Sequence, residues 1–162
     1  MKPDFKIRVI TYNRTLFSAA KVYKKIEGTT TMNYLLIGAG GVAGSLLRYG
    51  LGLLTHTWYS GGFPLGTLLA NLIGCFVLGW FTNSIVKLKV FHPHILAGLG
   101  TGLVGSFTTF STFSVETVLL MKDGMFALAF LYVFLSLFGG LFLAWYGYSL
   151  GRSFKRKGES AL

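Results

Sequence analysis

Four apolar stretches, each about as long as a bilayer is thick, divide this chain, and the charged residues fall almost wholly between and outside them. Hydrocarbon offers no water to backbone N–H and C=O groups, so each stretch must close its own hydrogen bonds as a helix. The stretches run from about Tyr34 to Leu54, Pro64 to Val86, Ile95 to Leu120 and Met125 to Leu150. Composition agrees: 52% of residues are hydrophobic and 12% charged, too little polar surface for a soluble domain. At 162 residues, with about 20 per span plus connections, four transmembrane helices fill the chain and exclude a large water-soluble catalytic domain. The expected fold class is all-α integral membrane, with one domain of four spans.

The net charge of +10 would suggest nucleic acid in a soluble protein. Here the basic residues gather at the ends, which reads as membrane topology and gives no nucleic-acid partner. Residues 1–31 form a basic N-terminal extension carrying Lys2, Lys6, Arg8, Arg14, Lys21, Lys24 and Lys25, residues 32–151 hold the spans, and residues 152–162 form a basic tail. The extension lacks the compact apolar stretch and cleavage site of a signal peptide. Met32-Asn33-Tyr34 opens directly onto the first span, which points to Met32 as the start of translation; intact mass of the natively expressed protein decides this.

Gly40 and Gly44 share a face of the first span, and Gly66, Ala70 and Gly74 line the second for close helix contact. Gly38-Ala39-Gly40-Gly41-Val42-Ala43 fits a loose dinucleotide fingerprint, but no acidic residue follows at ribose-binding distance, so helix packing accounts for the glycines. His56, His92 and His94 fall in connections without cysteine or carboxylate at ligand spacing. Cys75 alone permits no intrachain disulfide and reads as a small core residue. Ser106, Ser111 and Ser114 have no histidine at the same depth, so intramembrane serine proteolysis fails as well.

The third span is too long and too polar for an ordinary lipid-buried helix. Unbroken, residues 95–120 would extend about 39 Å against a hydrocarbon core of about 30 Å. The break belongs at Gly105 to Thr109, where Gly, Ser and Thr have weak helix preference and hydroxyls can take over freed backbone groups. From there Phe107, Phe110 and Phe113 recur every three residues beside Thr108, Ser111 and Ser114, with Thr109 and Thr112 as a third row. Aromatic rings have electropositive edges, and edges beside hydroxyl donors can partly replace the water shell of a small anion. The bland account is a packing seam with hydroxyls bonded to their own helix. Glu116 continues the phenylalanine row, either as part of the polar track or as a carboxylate capped by nearby hydroxyls. Asn71, in mid-span, either points its amide into a pore or bonds across a helix interface. Arg48 either lines an anion vestibule or snorkels to the headgroups. Tyr132 and Ser136, four apart, share a face of the fourth span.

With these residues in view, the chain from Met32 to Gly151 resembles the CrcB/Fluc family of fluoride channels. The resemblance rests on Gly40-Gly41-Val42-Ala43-Gly44-Ser45-Leu46-Leu47-Arg48-Tyr49, on Pro64-Leu65-Gly66-Thr67-Leu68 with Asn71 and Gly74, and on Gly105 through Glu116. It implies an antiparallel, dual-topology-type dimer of four-helix subunits with a broken third helix, passing fluoride passively out of the cytoplasm through two pores and protecting the cell. By motif it assigns Phe110 and Phe113 as pore aromatics, Asn71 as pore amide, Ser111, Ser114 and Thr112 as hydroxyls of the track, and Glu116 as the acid at its end. Tyr132 and Ser136 would extend the track, and Arg48 would be the vestibule cation. The resemblance further implies a structural, non-transported sodium ion at the dimer centre, held by the backbone carbonyls of Gly105 and Thr108. No enzymatic activity follows from it.

The charge placement departs from a protein that inserts both ways. One side of the membrane holds Lys87, Lys89, Arg152, Lys155, Arg156 and Lys157, whereas the other has Lys122, plus Arg48 near a helix end. The termini of this multi-pass plasma-membrane protein should therefore prefer the cytoplasm, and an oppositely inserted paralogue becomes a candidate partner beside a second copy. The competing function is a proton-coupled exporter of the small multidrug-resistance type, which needs a carboxylate central in the first span; that span has none. A noncatalytic scaffold would need neither Asn71 nor the Phe-hydroxyl pattern.

Overall fold

The computed structural model describes the backbone of residues 3–59, 61–88 and 91–159 and the side chains of residues 31–59, 61–85 and 91–152. Every regular element among them is helical. Four stretches are long and apolar enough to cross a membrane: Thr31–Trp58, Leu65–Ile85, Pro93–Lys122 and Phe126–Arg152. The expected four spans are present. Side chains of the extension to residue 30, of Lys87 and Lys89 and of the tail beyond residue 152 lie outside the described residues, and with them most of the charge asymmetry.

The first helix, Pro3–Trp58, continues past its expected end. Hydroxyls support its last turns: Thr55 Oγ1 donates to the carbonyls of Leu51 and Gly52, each at 2.9 Å, and Thr57 Oγ1 to that of Leu54 at 2.7 Å. Gly62, at φ 74°, turns the chain into the second helix, Leu65–Leu88. That backbone region costs glycine nothing.

In lipid, close backbone approach replaces the hydrophobic drive that packs helices in water. The first helix accordingly lies against the third span through Gly40 and Gly44. A Cβ on Gly40 would collide with the Gly98 carbonyl, and one on Gly44 with the Leu103 carbonyl and Ser106 Oγ. The second helix packs on the fourth span in the same way: Gly79 presses on Ala144 and Gly147 on the Phe76 carbonyl. Gly38, by contrast, has open space around it.

The third span does break, inside the expected segment and confined to its last two residues. It begins at Pro93–Ala97, widens into π-helical turns over Gly98–Val104, and resumes as Gly105–Phe107. Gly105 is still helical at φ −62°, ψ −35°. Thr108 (φ −83°, ψ 158°) and Thr109 (φ −151°, ψ 128°) are extended, and the helix restarts at Phe110–Lys122. Weak propensity at Gly105 and Ser106 is therefore insufficient to end the helix; it ends at the two threonines, where a side chain of the second helix takes both backbone groups of Thr109.

Gly124, at φ 77°, turns the chain into the fourth span. This span is not one regular helix either: π-helical turns at Leu135–Gly139 separate Phe126–Phe134 from Gly140–Glu159. Ser136 and Gly139 lie in these widened turns. Leu68, Leu120, Ala129 and Tyr132 form a buried cluster where the second, third and fourth spans meet.

Candidate functional site

The broken third span brings residues from three helices to one place. Thr109 lies extended because a single side chain of the second helix takes both its backbone groups. The Thr109 N–H donates to Asn71 Oδ1 at 2.8 Å, and Asn71 Nδ2 donates to the Thr109 carbonyl at 3.0 Å. Of the two roles open to Asn71, the cross-helix bond is thus present, and it uses one of the two amide hydrogens.

Thr109 also caps the restarted helix. Its Oγ1 accepts from the Thr112 N–H at 3.2 Å, donates to Thr112 Oγ1 at 3.1 Å and lies 3.2 Å from Ser111 Oγ. These bonds divert two amides from their helical acceptors. In a continuous helix the Thr109 N–H would meet the Gly105 carbonyl and the Thr112 N–H the Thr108 carbonyl. The Gly105 carbonyl receives instead a long 3.3 Å contact from the Thr108 hydroxyl, which also donates to Val104.

Around the break lies a cavity of about 680 Å³ whose wall includes Asn71, Gly105, Thr108, Phe110, Phe113 and Ser136. Six of the residues singled out from the sequence therefore converge here, from the second, third and fourth spans. Ser136 lies in the widened turn of the fourth span, and its buried hydroxyl has no hydrogen-bond partner. A hydroxyl in that state is an uncommitted donor. Phe110 is 79% exposed, and its ring centroid lies 5.9 Å from that of Phe113.

Toward the far end of the third span the aromatic series leaves its helix. Phe113 lies 5.0 Å from Tyr132, and Tyr132 meets Phe63 edge-on at 5.5 Å and 77°. Tyr132 is fully buried and donates to Glu116 Oε2 at 2.7 Å, while Thr67 Oγ1 donates to Oε1 at 2.8 Å. Both carboxylate oxygens are thus capped by hydroxyls, as one of the two sequence readings has it. Glu116 and Thr67 also line a second cavity, of about 190 Å³, which opens past His56, Tyr59 and Phe63.

The helix restarts at Phe110, as the break expected over Gly105 to Thr109 requires, so Phe107 and Thr108 lie before the break and Phe110 and Phe113 share the restarted helix. Ser114 Oγ donates to its own helix at the Phe110 carbonyl, 2.9 Å away, which is the bland account for that hydroxyl. Arg48, half-buried on the first helix, lines neither of these cavities. Sequence reasoning gave Thr67 no role beyond its place in the Pro64 to Leu68 motif and did not single out Phe63; a hydroxyl and a ring at the mouth of the second helix carry no local signal, and only the positions of Glu116 and Tyr132 make them partners. His92 and His94 stack on each other, with His94 Nδ1 against Asn33 Oδ1, and no cluster of three metal-ligating side chains occurs among the described residues.

A multi-pass membrane protein with a largely apolar cavity at a broken helix, onto which a few polar groups converge, is the class these features define. A sequence model of the family described as CrcB-like protein, Camphor Resistance (CrcB), matches residues 35–148, and the chain belongs to that family. A Bacillus cereus relative, Fluoride-specific ion channel FluC 1, is 51% identical over 118 residues, covering 73% of this chain and 82% of the relative. Fluoride-specific ion channel FluC 2 of Geobacillus kaustophilus is 46% identical over 127 residues, covering 78% and 98%. A third relative, Fluoride-specific ion channel FluC of Oceanobacillus iheyensis, is 46% identical over 129 residues, covering 80% and 98%. The family is one of ion channels, not of enzymes.

Proposed function

We infer that this chain is a subunit of a fluoride channel that lets the anion leave the cytoplasm down its gradient. One observation carries the reading: in a chain about half identical to fluoride-specific channels, Asn71, Phe110, Phe113 and Ser136 converge on one cavity at the helix break. Fluoride is small and strongly hydrated, so a pore must offer compensating donors along its path. The second Asn71 amide hydrogen and the free Ser136 hydroxyl are such donors, and the ring edges of Phe110 and Phe113 add a weaker positive field. Ser111 and Thr112 lie next along the track, with the Ser114 hydroxyl beside them bonded back to its own helix. Tyr132 and Glu116 close it, with the carboxylate held by two hydroxyls. Arg48 supplies a cation toward one end of the first span.

The subunit works as an antiparallel dimer with a second copy or an oppositely inserted paralogue. Residues 32–151 form the channel unit between the basic extension and the basic tail, and the termini face the cytoplasm. A sodium ion at the dimer centre fits the donor set: it is a hard cation that takes oxygen ligands, and Gly105 and Thr108 have the carbonyls whose helical amides are diverted. When bound, it supplies a fixed positive charge that ties the two subunits together. The exporter alternative loses ground because Thr31–Trp58 contains no carboxylate.

Liposomes loaded with potassium fluoride and containing the pure protein test the function directly. A fluoride electrode outside should record rapid efflux, with little chloride leak under the same gradient. Proton-dependent drug movement without fluoride efflux overturns the channel.

A further inference from the structure

Resting on the sodium reading above, the geometry points to Asn71, assisted by Gly74, as the positioning residue that keeps the Gly105 and Thr108 carbonyls free of their helical amide donors and so available to the cation, the Gly105 carbonyl carrying only the long contact from the Thr108 hydroxyl. A broken helix in a membrane tends to reseal, because each freed backbone group regains a partner that way. Resealing here would return the Thr109 N–H to the Gly105 carbonyl. Asn71 prevents it by occupying the N–H with Oδ1 at 2.8 Å and the Thr109 carbonyl with Nδ2 at 3.0 Å.

A primary amide copies the donor and acceptor of a peptide bond, so it pairs with extended backbone as a neighbouring strand would. Once Thr109 is extended, its Oγ1 reaches the Thr112 N–H and leaves the Thr108 carbonyl without its helical donor. Gly74, one turn beyond Asn71, supports the same geometry. A Cβ there would collide with Thr108 Cγ2 and push the break away from the second helix. The pore amide and the cage for the cation therefore share one side chain, and sodium affinity depends on a residue that does not touch the ion.

Thermal unfolding of the purified protein in detergent, with sodium chloride titrated against potassium chloride at constant ionic strength, reads this without any flux measurement. The wild-type midpoint temperature should rise with sodium and not with potassium. Asn71→Ala should move the half-saturating sodium concentration up by at least ~10-fold, with stability recovered at high sodium but not at high potassium. Asn71→Asp retains an acceptor for the Thr109 N–H, so it should stay closer to wild type in sodium response while losing fluoride efflux. That split separates holding the break from contacting the anion. Gly74→Ala should raise the sodium requirement with Asn71 intact.

A sodium requirement for N71A within about twofold of wild type overturns the positioning role, even if efflux is abolished. Should N71A give no dimer at any salt, an unchanged requirement in G74A overturns it instead. A wild-type protein indifferent to sodium removes the sodium reading itself, and the positioning role with it.

Discussion

Phe110 and Phe113 stand one turn apart on the same short helix, yet the fold depends on them unequally. Phe110 is 79% exposed, whereas Phe113 packs on Tyr132 and the buried cluster. Isoleucine at either position should cut fluoride efflux by roughly an order of magnitude through loss of the ring edge. Only Phe113→Ile should also lower stability, by about 1–2 kcal/mol, because isoleucine fills its site less completely. Efflux from proteoliposomes beside thermal unfolding separates the two effects, and wild-type efflux in both variants would reduce the rings to packing.

Glu116 poses a different question at the same scale. Its oxygens accept from Thr67 and Tyr132, and the Tyr132 hydroxyl is fully buried. Tyr132→Phe should therefore destabilise by about 1–3 kcal/mol, the range for leaving a buried acceptor without its donor. In a double-mutant cycle with Glu116→Gln the two losses should be non-additive. Additive losses would mean that the bond contributes nothing.

Among the elements, glycine decides where helices can meet. Gly147 presses on the Phe76 carbonyl with no room for a Cβ, whereas Gly38 has open space. Gly147→Val should abolish recovery of monodisperse protein, while Gly38→Ala should leave it unchanged; size-exclusion chromatography after extraction reads both. The third span combines two contributions. Its length and its Gly-Ser-Thr content made a break legible, but Gly105 remains helical and Thr108 and Thr109 carry the extended geometry. The partner that fixes the break is Asn71, 38 residues away in sequence. No local propensity encodes a bond at that separation.

At the level of the whole molecule, the charge pattern bears on insertion. Basic residues concentrate on the side of the termini, so a C-terminal fusion should report a cytoplasmic location. A reporter active only in the cytoplasm and its periplasmic counterpart, fused in turn at the C-terminus, measure this. Equal signal from both means that the chain inserts both ways and needs no paralogue. Signal from the cytoplasmic reporter alone, with no efflux from the protein reconstituted by itself, means that an inverted partner is required.

The sequence by itself determined the four spans and the segment that would break, because hydrophobic length and hydroxyl content are local quantities that the bilayer reads directly. It also named most of the residues around the larger cavity. Only the tertiary structure decided what each polar group does. It gave Asn71 to the Thr109 backbone, Thr67 and Tyr132 to Glu116, Ser114 to its own helix, and left Ser136 free. The reason is that a donor in a low-dielectric interior takes whichever acceptor the packing brings within reach, and helix packing here is set by glycines far apart in the chain.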